Sequence, residues 1–136
     1  MTESNPYSIR KVVALPYDEA VEKTKEALKQ EGFGVLSEID MKEKLKEKLQ
    51  VDYKPYVILG ACNPPLAYKA LQAEPEIGLL LPCNVIVREH DGRSAVSIVD
   101  PAAMLGVVDN PTLRAVADEA KARLQRVATA LVEGRR

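Results

Sequence analysis

Apolar residues recur along the chain with two different periods, and the changes between these periods predict an order of strands and helices. Residues 7–15 read YSIRKVVAL and indicate a first strand, which Pro16 ends. In residues 17–31 the apolar positions fall on one helical face, so we predict a helix that Asp18 caps and that stops at Gly32. The first part of the chain therefore predicts one strand followed by one amphipathic helix.

Two further strands are predicted, and they differ in how much of their surface is buried. The segment FGVLSEI alternates, with one set of side chains on one face: Phe33, Val35, Ser37 and Ile39. This alternation is typical of a half-buried strand. Residues 56–62, YVILGAC, are apolar throughout and indicate a strand that is buried on both faces or close to it. A short helix is expected between the two strands, with Asp40 and Glu43 at the spacing of a capping box.

Three predicted helix starts share one device, an asparagine or aspartate followed by a proline. The pairs are Asn63-Pro64, Asp100-Pro101 and Asn110-Pro111. Asparagine and aspartate are favoured N-caps, and proline is favoured at the first helical position. The third pair precedes the last helix, predicted for residues 112–133. At 1.5 Å per residue this helix is about 33 Å long, which is enough to cross a whole sheet.

The segment PCNVIVREHDGRSAVSIVD predicts a β-hairpin. Asp91-Gly92 between two alternating runs is the signal of a type I′ turn. A two-residue loop pairs His90 with Arg93 and would set Cys83 opposite Asp100. The core face of the hairpin then consists of five side chains: Cys83, Val85, Val87, Val96 and Ile98.

The predicted order is β-α-β-α-β-α-β-β-α, and no linker or repeat divides the chain. At 136 residues we expect a single domain, residues 1–136, in the α+β class. A mixed or antiparallel sheet with helices mainly on one face, a two-layer α/β sandwich, is the simplest architecture. Because such a sheet leaves open edges and often one partly apolar face, we also expect a homodimer.

Composition and charge narrow the classes of function. Hydrophobic residues make up 46% of the chain and charged residues 29%, which is typical of a globular protein. The net charge is −1, so no basic surplus favours nucleic acid or an acidic membrane surface, and we expect neither as a partner. The first residues, MTESNPYSIR, lack the pattern of a signal peptide, so we expect a cytoplasmic protein in which thiols stay reduced.

No complete set of catalytic or metal-binding residues is evident in the sequence. The seven glycines form no phosphate-binding loop, and His90, the single histidine, is expected in a hairpin turn. Two cysteines and one histidine do not match the usual zinc spacings. Acidic residues are interspersed among Lys42, Lys44, Lys46 and Lys48, which indicates a solvated helix face rather than an anion-binding patch. We therefore expect no metal and no cofactor. Whether the protein is an enzyme stays open, with a non-catalytic role favoured.

Cys62, Asn63 and Cys83 are the candidate site residues. Cys62 ends a predicted strand just before a helix N-terminus, a position that can lower the pKa of a thiol. Cys83 is expected on the core face, where burial and the carboxylate of Asp100 would raise its pKa. Three interpretations stay open: two structural core thiols, a ligand or thiol-chemistry site that involves Cys62, and a disulfide or metal site.

Three segments of the chain resemble the family known as domain of unknown function 302: GFGVLSEIDMKEKLKEKL, PYVILGACNPPLAYKALQAEPEIGLLLPCNVIVRE and SIVDP. The likeness covers a core of residues 32–101 and is most specific at N-P-x-x-A, residues 63–67, and at LPCNV, residues 81–85. The resemblance implies a compact α+β fold that forms a dimer, and it implies no activity, substrate or cofactor. Other members look different at both cysteine positions, so a chemistry common to the family would not depend on these sulfurs.

Two functional hypotheses from different classes follow. The first is a non-catalytic homodimeric module that binds a small or apolar ligand or a protein partner, and the apolar connector EIGLLLPC favours it. The second is a thiol-dependent sulfur-carrier or redox protein that uses Cys62 with help from Asn63 and Cys83. The wide separation of the two cysteines does not favour a redox pair of the C-x-x-C type.

Overall fold

One five-stranded sheet forms the framework of the protein in the computed structural model, which describes residues 5–133. Its strands are β1 (Ser8–Val13), β2 (Gly34–Asp40), β3 (Tyr56–Cys62), β4 (Cys83–His90) and β5 (Arg93–Val99). They lie in the order β1-β5-β4-β3-β2, and all neighbouring pairs are antiparallel. The expected α+β sandwich is confirmed, and of the two sheet types that the sequence left open, the antiparallel one is present.

Between residues 5 and 133, five α-helices and one 3₁₀-helix complete the fold. The α-helices are α1 (Tyr17–Gln30), α2 (Met41–Leu49), α3 (Pro64–Ala73), α4 (Pro101–Leu105) and α5 (Pro111–Glu133). The 3₁₀-helix (Pro75–Leu80) was not predicted, because its apolar sequence indicates only a connector between α3 and β4. Glu74 caps the start of this helix, since its carboxylate accepts a hydrogen bond from the backbone N–H of Glu76 at 3.0 Å.

The main hydrophobic core lies between the sheet and the two long helices α1 and α5. Fully buried side chains come from both layers: Leu28 of α1, Leu59, Val85, Val87, Val96 and Ile98 of the sheet, and Leu124 and Val127 of α5. Burying one such side chain contributes about 1.5–3 kcal/mol. A second cluster, which includes Ile77 and Leu113, joins α3, the 3₁₀-helix and α4 to the first half of α5. This second cluster holds α3 beside the end of the sheet.

The three predicted asparagine and aspartate caps are confirmed by hydrogen bonds. The side-chain oxygens accept from backbone N–H groups as follows: Asn63 from Leu66 at 3.2 Å, Asp100 from Ala102 at 2.9 Å, and Asn110 from Thr112 at 2.9 Å. Asp40 caps α2 in the same way and accepts from Glu43 at 2.9 Å. These four helix starts are therefore encoded by local sequence.

The two ends of α1 gave one correct and one wrong prediction. Asp18 does not cap this helix, because the N-cap residue is Pro16. Asp18 lies in the first turn instead, where its negative charge interacts favourably with the positive end of the helix dipole. Gly32 does stop the helix, with a φ of +85°. The backbone N–H of Phe33 then bonds to the carbonyl of Leu28 at 2.9 Å, as in a Schellman motif.

The hairpin of β4 and β5 agrees with the prediction in its loop and in its register. Asp91 and Gly92 have φ values of 50° and 79°, the positive angles that a type I′ turn requires. His90 pairs with Arg93. All five side chains predicted for the core face are buried: Cys83, Val85, Val87, Val96 and Ile98.

The alternation predicted for β2 is interrupted by a β-bulge between Val35 and Ser37. Val35 lies on the core face, whereas Ser37 and Ile39 pair with residues of β3 that point to the outer face. Glu38 takes a core-side position instead, and its carboxylate binds Nζ of Lys25 in α1 at 2.8 Å. The prediction of one shared face was wrong beyond Val35, because one extra residue exchanges the two faces of a strand.

Candidate functional site

An apolar cleft lies at the end of the sheet where β3 finishes and β4 begins. Its volume is about 330 Å³, and α3, α4, α5 and the segment around the 3₁₀-helix contribute to its walls. Apolar side chains make up most of the lining, among them Phe33, Leu66, Ala67, Leu71, Leu81 and Leu105. Cys62 and Cys83 also line it, and we refer to it as the thiol cleft.

All three candidate residues from the sequence meet at the thiol cleft. Cys62 is the last residue of β3, and Asn63 follows it as the cap of α3. Cys83 is the first residue of β4 and pairs with Ala61, the residue before Cys62. The two cysteines are far apart in sequence, and the antiparallel pairing of β3 with β4 brings them to the same end of the sheet.

Asn63 provides the amide group of the thiol cleft. Its side chain is only 7% exposed, and its Oδ1 atom is occupied by the cap hydrogen bond from Leu66. Within residues 5–133 its Nδ2 atom donates no hydrogen bond, although every fully buried side-chain nitrogen or oxygen there has a partner. The Nδ2 atom is therefore not fully buried, and it has a free donor for a ligand that reaches it.

The thiol of Cys62 is a poorer nucleophile than the sequence suggested. Burial raises the pKa of Cys62 above its ordinary value, so the lowering expected from the adjacent helix N-terminus was wrong. The start of α3 explains the difference. Pro64 and Pro65 have no backbone N–H, and the N–H of Leu66 is already bonded to Asn63, so few free donors remain to stabilise a thiolate.

The thiol of Cys83 is held neutral by its surroundings. Burial raises the pKa of Cys83 to about 11, and the neighbouring Cys62 adds to the increase. The expected contribution of Asp100 was wrong, because the pairing of β4 with β5 begins at Val85. The Asp100 carboxylate instead caps α4 and binds Nζ of Lys121 at 3.1 Å. Burial is therefore the main cause of the raised pKa of Cys83.

A second cleft, between α3 and α5, adjoins the thiol cleft. Its volume is about 770 Å³, and five polar side chains contribute to its lining: Asn63, Lys69, Thr112, Glu119 and Arg123. We refer to it as the polar cleft. Asn63, Leu66 and Val116 line both clefts, so the apolar and the polar space meet at these three side chains.

Arg123 is fixed at the wall of the polar cleft by contacts to α1 and α5. Its Nε donates to the Glu119 carboxylate at 2.7 Å, and its Nη1 donates to the backbone carbonyl of Glu31 at 3.1 Å. The pairing with Arg123, assisted by Arg126 and Lys69, lowers the pKa of Glu119. Among the described residues Nη2 of Arg123 has no hydrogen-bond partner, so it is available to a ligand.

The polar cleft was missed in the sequence analysis. Glu119 and Arg123 are four residues apart on α5, a spacing that indicates a surface ion pair on a helix. Lys69 lies on a different helix. Nothing in the sequence says that these helices face each other, because their placement depends on the second hydrophobic cluster.

The described part of the chain offers no obvious centre for metal or histidine chemistry. No group of three or more His, Cys, Asp or Glu side chains within residues 5–133 could hold a metal ion. Both cysteines are free, and His90 lies at the opposite end of β4 from Cys83. None of the described helices combines the length and the hydrophobicity needed to cross a membrane.

Comparison with known proteins decides the family. The family described as "Domain of unknown function DUF302" matches residues 9–131. The chain belongs to the DUF302 family. A crystal structure of an uncharacterised conserved DUF302 protein from Bacillus stearothermophilus is 32% identical to it, with a TM-score of 0.86 over 93% of this chain and 99% of that chain. No curated protein shows significant similarity to the chain.

The DUF302 match extends on both sides of the segment that carried the resemblance in the sequence. It includes every residue that lines the thiol cleft and the polar cleft. The α+β fold that the resemblance implied is confirmed. The dimer that it implied stays a prediction.

Proposed function

We propose that this DUF302 protein is a non-catalytic, cytoplasmic, homodimeric module that binds a small apolar ligand in the thiol cleft. The observation that carries the proposal is the lining of this cleft, which is apolar except for the two thiols and the amide of Asn63. Ligand sites in proteins are typically concave and mainly apolar, with a few polar groups that orient the ligand, and they enclose about 300–1,000 Å³. The thiol cleft, at about 330 Å³, fits a small ligand.

The state of the thiols supports binding rather than catalysis. Burial raises the pKa of both Cys62 and Cys83, so both are neutral near pH 7. A neutral thiol behaves as a small hydrophobic group, and in this cleft it adds to the apolar surface. His90, the single histidine, is at the other end of β4 and cannot serve as a base for either sulfur.

Fluorescence of N-phenyl-1-naphthylamine, a neutral apolar probe, tests the proposal. We expect its emission to increase on binding to the wild-type protein and the increase to be lost in Ala67→Leu, which fills part of the thiol cleft. Ala130→Leu on the exposed side of α5 introduces the same side chain outside both clefts and should bind like wild type. Binding that is equal in the two variants, or absent from the wild type, would contradict the proposal.

The outer face of the sheet supports the homodimeric part of the proposal. Ile39, Ile58 and Ile86 lie side by side across β2, β3 and β4 on this face. Ile39 is 42% exposed, and neither hydrophobic cluster of the described residues includes any of the three. A second copy of the chain would cover this apolar row. In a dimer with twofold symmetry the same surface of both subunits forms the interface, so the three isoleucines of one copy would pack against those of the other.

Sedimentation velocity tests the dimer. We expect the wild type to sediment as a dimer at micromolar concentration and both Ile86→Lys and the more exposed Ile39→Lys to sediment as monomers. Tyr68→Lys, at a position on α3 that is 65% exposed, is the control and should remain dimeric. A monomeric wild type, or dimers in both isoleucine variants, would remove the homodimer from the proposal.

A thiol-dependent sulfur-carrier or redox function that uses Cys62 is the second candidate. The observation in its favour is that Cys62, Asn63 and Cys83 share one cleft. The raised pKa values weaken it, because the thiolate is the reactive form. Alkylation of the Cys83→Ser variant by iodoacetamide at several pH values decides the matter: a half-maximal rate below pH ~8.5 would favour this candidate over simple binding.

A further inference from the structure

Resting on the proposed ligand-binding function, we propose that the ligand is a small monocarboxylate whose apolar tail lies in the thiol cleft and whose carboxylate is bound in the polar cleft by Asn63, Lys69 and Arg123. The two clefts meet at Asn63, Leu66 and Val116, so one molecule can occupy both. An elongated ligand with an apolar end and a charged end matches this pair of spaces.

Two hydrogen-bond donors converge beside Gly32, at the junction of the clefts. A Cβ atom on Gly32 would lie 2.9 Å from Nδ2 of Asn63 and 3.3 Å from Nη1 of Arg123. Both nitrogens therefore approach the same point beside the Gly32 backbone. Nδ2 of Asn63 belongs to a side chain that is only 7% exposed, and within residues 5–133 it has no hydrogen-bond partner. A carboxylate oxygen at the cleft surface would provide that partner.

The backbone at the start of α3 cannot bind the anion. Helix N-termini bind anions through free N–H groups. Pro64 and Pro65 occupy the first two positions of α3 and have none, and the N–H of Leu66 bonds to Asn63. Recognition of a charged group at this junction therefore falls to side chains, and the Asn63 amide and the Arg123 guanidinium are two of the donors there.

The charges of the polar cleft favour a monoanion. Lys69 and Arg123 contribute two positive charges and Glu119 one negative charge, which leaves an excess of one. A carboxylate neutralises this excess, whereas a phosphate monoester carries about −1.5 to −2 at neutral pH and would exceed it. Nη2 of Arg123 has no partner among the described residues, and a guanidinium binds carboxylates through two parallel hydrogen bonds when its geometry permits.

Displacement of N-phenyl-1-naphthylamine by three ligands with the same ten-carbon tail tests the inference. The ligands are decanoate, decanol and decyltrimethylammonium. We expect decanoate to displace the probe at about tenfold lower concentration than decanol, the ratio for one charge-assisted hydrogen bond worth ~1.4 kcal/mol. The cationic ligand should be the weakest.

Variants on α3 and α5 show whether the named residues carry the preference. Arg123→Gln and Lys69→Gln should each weaken displacement by decanoate more than displacement by decanol, and so reduce the decanoate preference. Arg126→Gln is the matched control, because Arg126 also lies on α5 and also contacts Glu31, at 3.0 Å, but lines neither cleft. Thermal melting checks that each variant is folded. Lys69 is exposed, so its variant tests the inference even where Arg123→Gln is unstable.

Each other outcome contradicts a definite part of the argument. Equal displacement by decanoate and decanol would overturn the carboxylate assignment and leave the apolar binding function intact. Tighter binding of decyltrimethylammonium would also overturn it and would show that Glu119 dominates the polar cleft. Failure of all three ligands to displace the probe, or of the probe to bind, would contradict the proposed function itself.

Discussion

A Cβ atom at position 32 would lie 2.9 Å from the side-chain nitrogen of Asn63, so the stop of α1 and the cap of α3 are in direct contact. Gly32 has a φ of +85°, a conformation that glycine adopts without cost. Asn63 caps the helix that forms a wall of both clefts. One glycine thus serves two needs, the left-handed turn after α1 and the close approach of the Asn63 amide.

Gly32→Ala is expected to destabilise the protein by about 1–3 kcal/mol. Alanine is strained in the left-handed backbone conformation of this position, and its methyl group would collide with Asn63. Chemical denaturation with urea measures the change. Gly34→Ala is the control, since a Cβ there would meet nothing within 4 Å. The interpretation fails if the two variants lose the same stability.

Gly60→Ala is expected to cost about 1–3 kcal/mol through overpacking on the outer face of β3. A Cβ at this position would collide with Oγ of Ser37 and lie 2.8 Å from Cγ of Pro82. Ser37→Ala removes the first collision, so the double variant should recover part of the loss. Strictly additive effects in this double-mutant cycle would show that the two residues do not interact.

Local chemistry explains which parts of the fold could be predicted from the sequence. The caps at Asn63, Asp100 and Asn110 depend on a side chain and backbone N–H groups two or three residues away. The turn at Asp91-Gly92 depends on two positive φ angles. In each case the residues that make the interaction are neighbours in the chain, so their pattern is sufficient.

Features that depend on distant parts of the chain were missed or wrong. The bulge in β2 shifts the strand by one residue, and the pattern of that strand alone does not reveal it. The pKa of Cys62 depends on how far surrounding elements exclude water from the thiol. This burial raises the pKa, and its effect is larger than any lowering by the adjacent helix N-terminus. The polar cleft depends on the contact of α3 with α5, so the placement of Lys69 and Arg123 in one cleft became visible only in the structure.

The Asn63→Asp variant tests the two roles of Asn63 separately, the cap of α3 and the proposed contact to the ligand. Aspartate keeps a side-chain oxygen for the N–H of Leu66, so the free energy of unfolding should change little. It replaces the Nδ2 donor with a negative charge, so the preference for decanoate over decanol should disappear. Urea denaturation and probe displacement, measured on the same sample, check both expectations.

The matched controls for Asn63 are alanine variants at two caps. Asn63→Ala and Asn110→Ala should each cost about 1 kcal/mol, because each removes a capping oxygen. Asn110 lines neither cleft, so only the Asn63 variant should also change ligand binding. An equal loss of ligand binding in both would show that helix stability, rather than the Asn63 amide, controls the site.

Cys83 is expected to make the folded protein less stable at alkaline pH. Burial, and to a smaller extent the neighbouring Cys62, raises the pKa of the Cys83 thiol in the folded state from its ordinary value of 9.0 to about 11. Between these values the folded state binds more protons than the unfolded state, so the free energy of unfolding decreases as pH rises, by up to ~2–3 kcal/mol. Urea denaturation between pH 7.5 and ~10.5 should therefore show a flatter profile for Cys83→Ala than for the wild type. Parallel profiles would mean that the thiol ionises equally easily in both states and is not shielded from water.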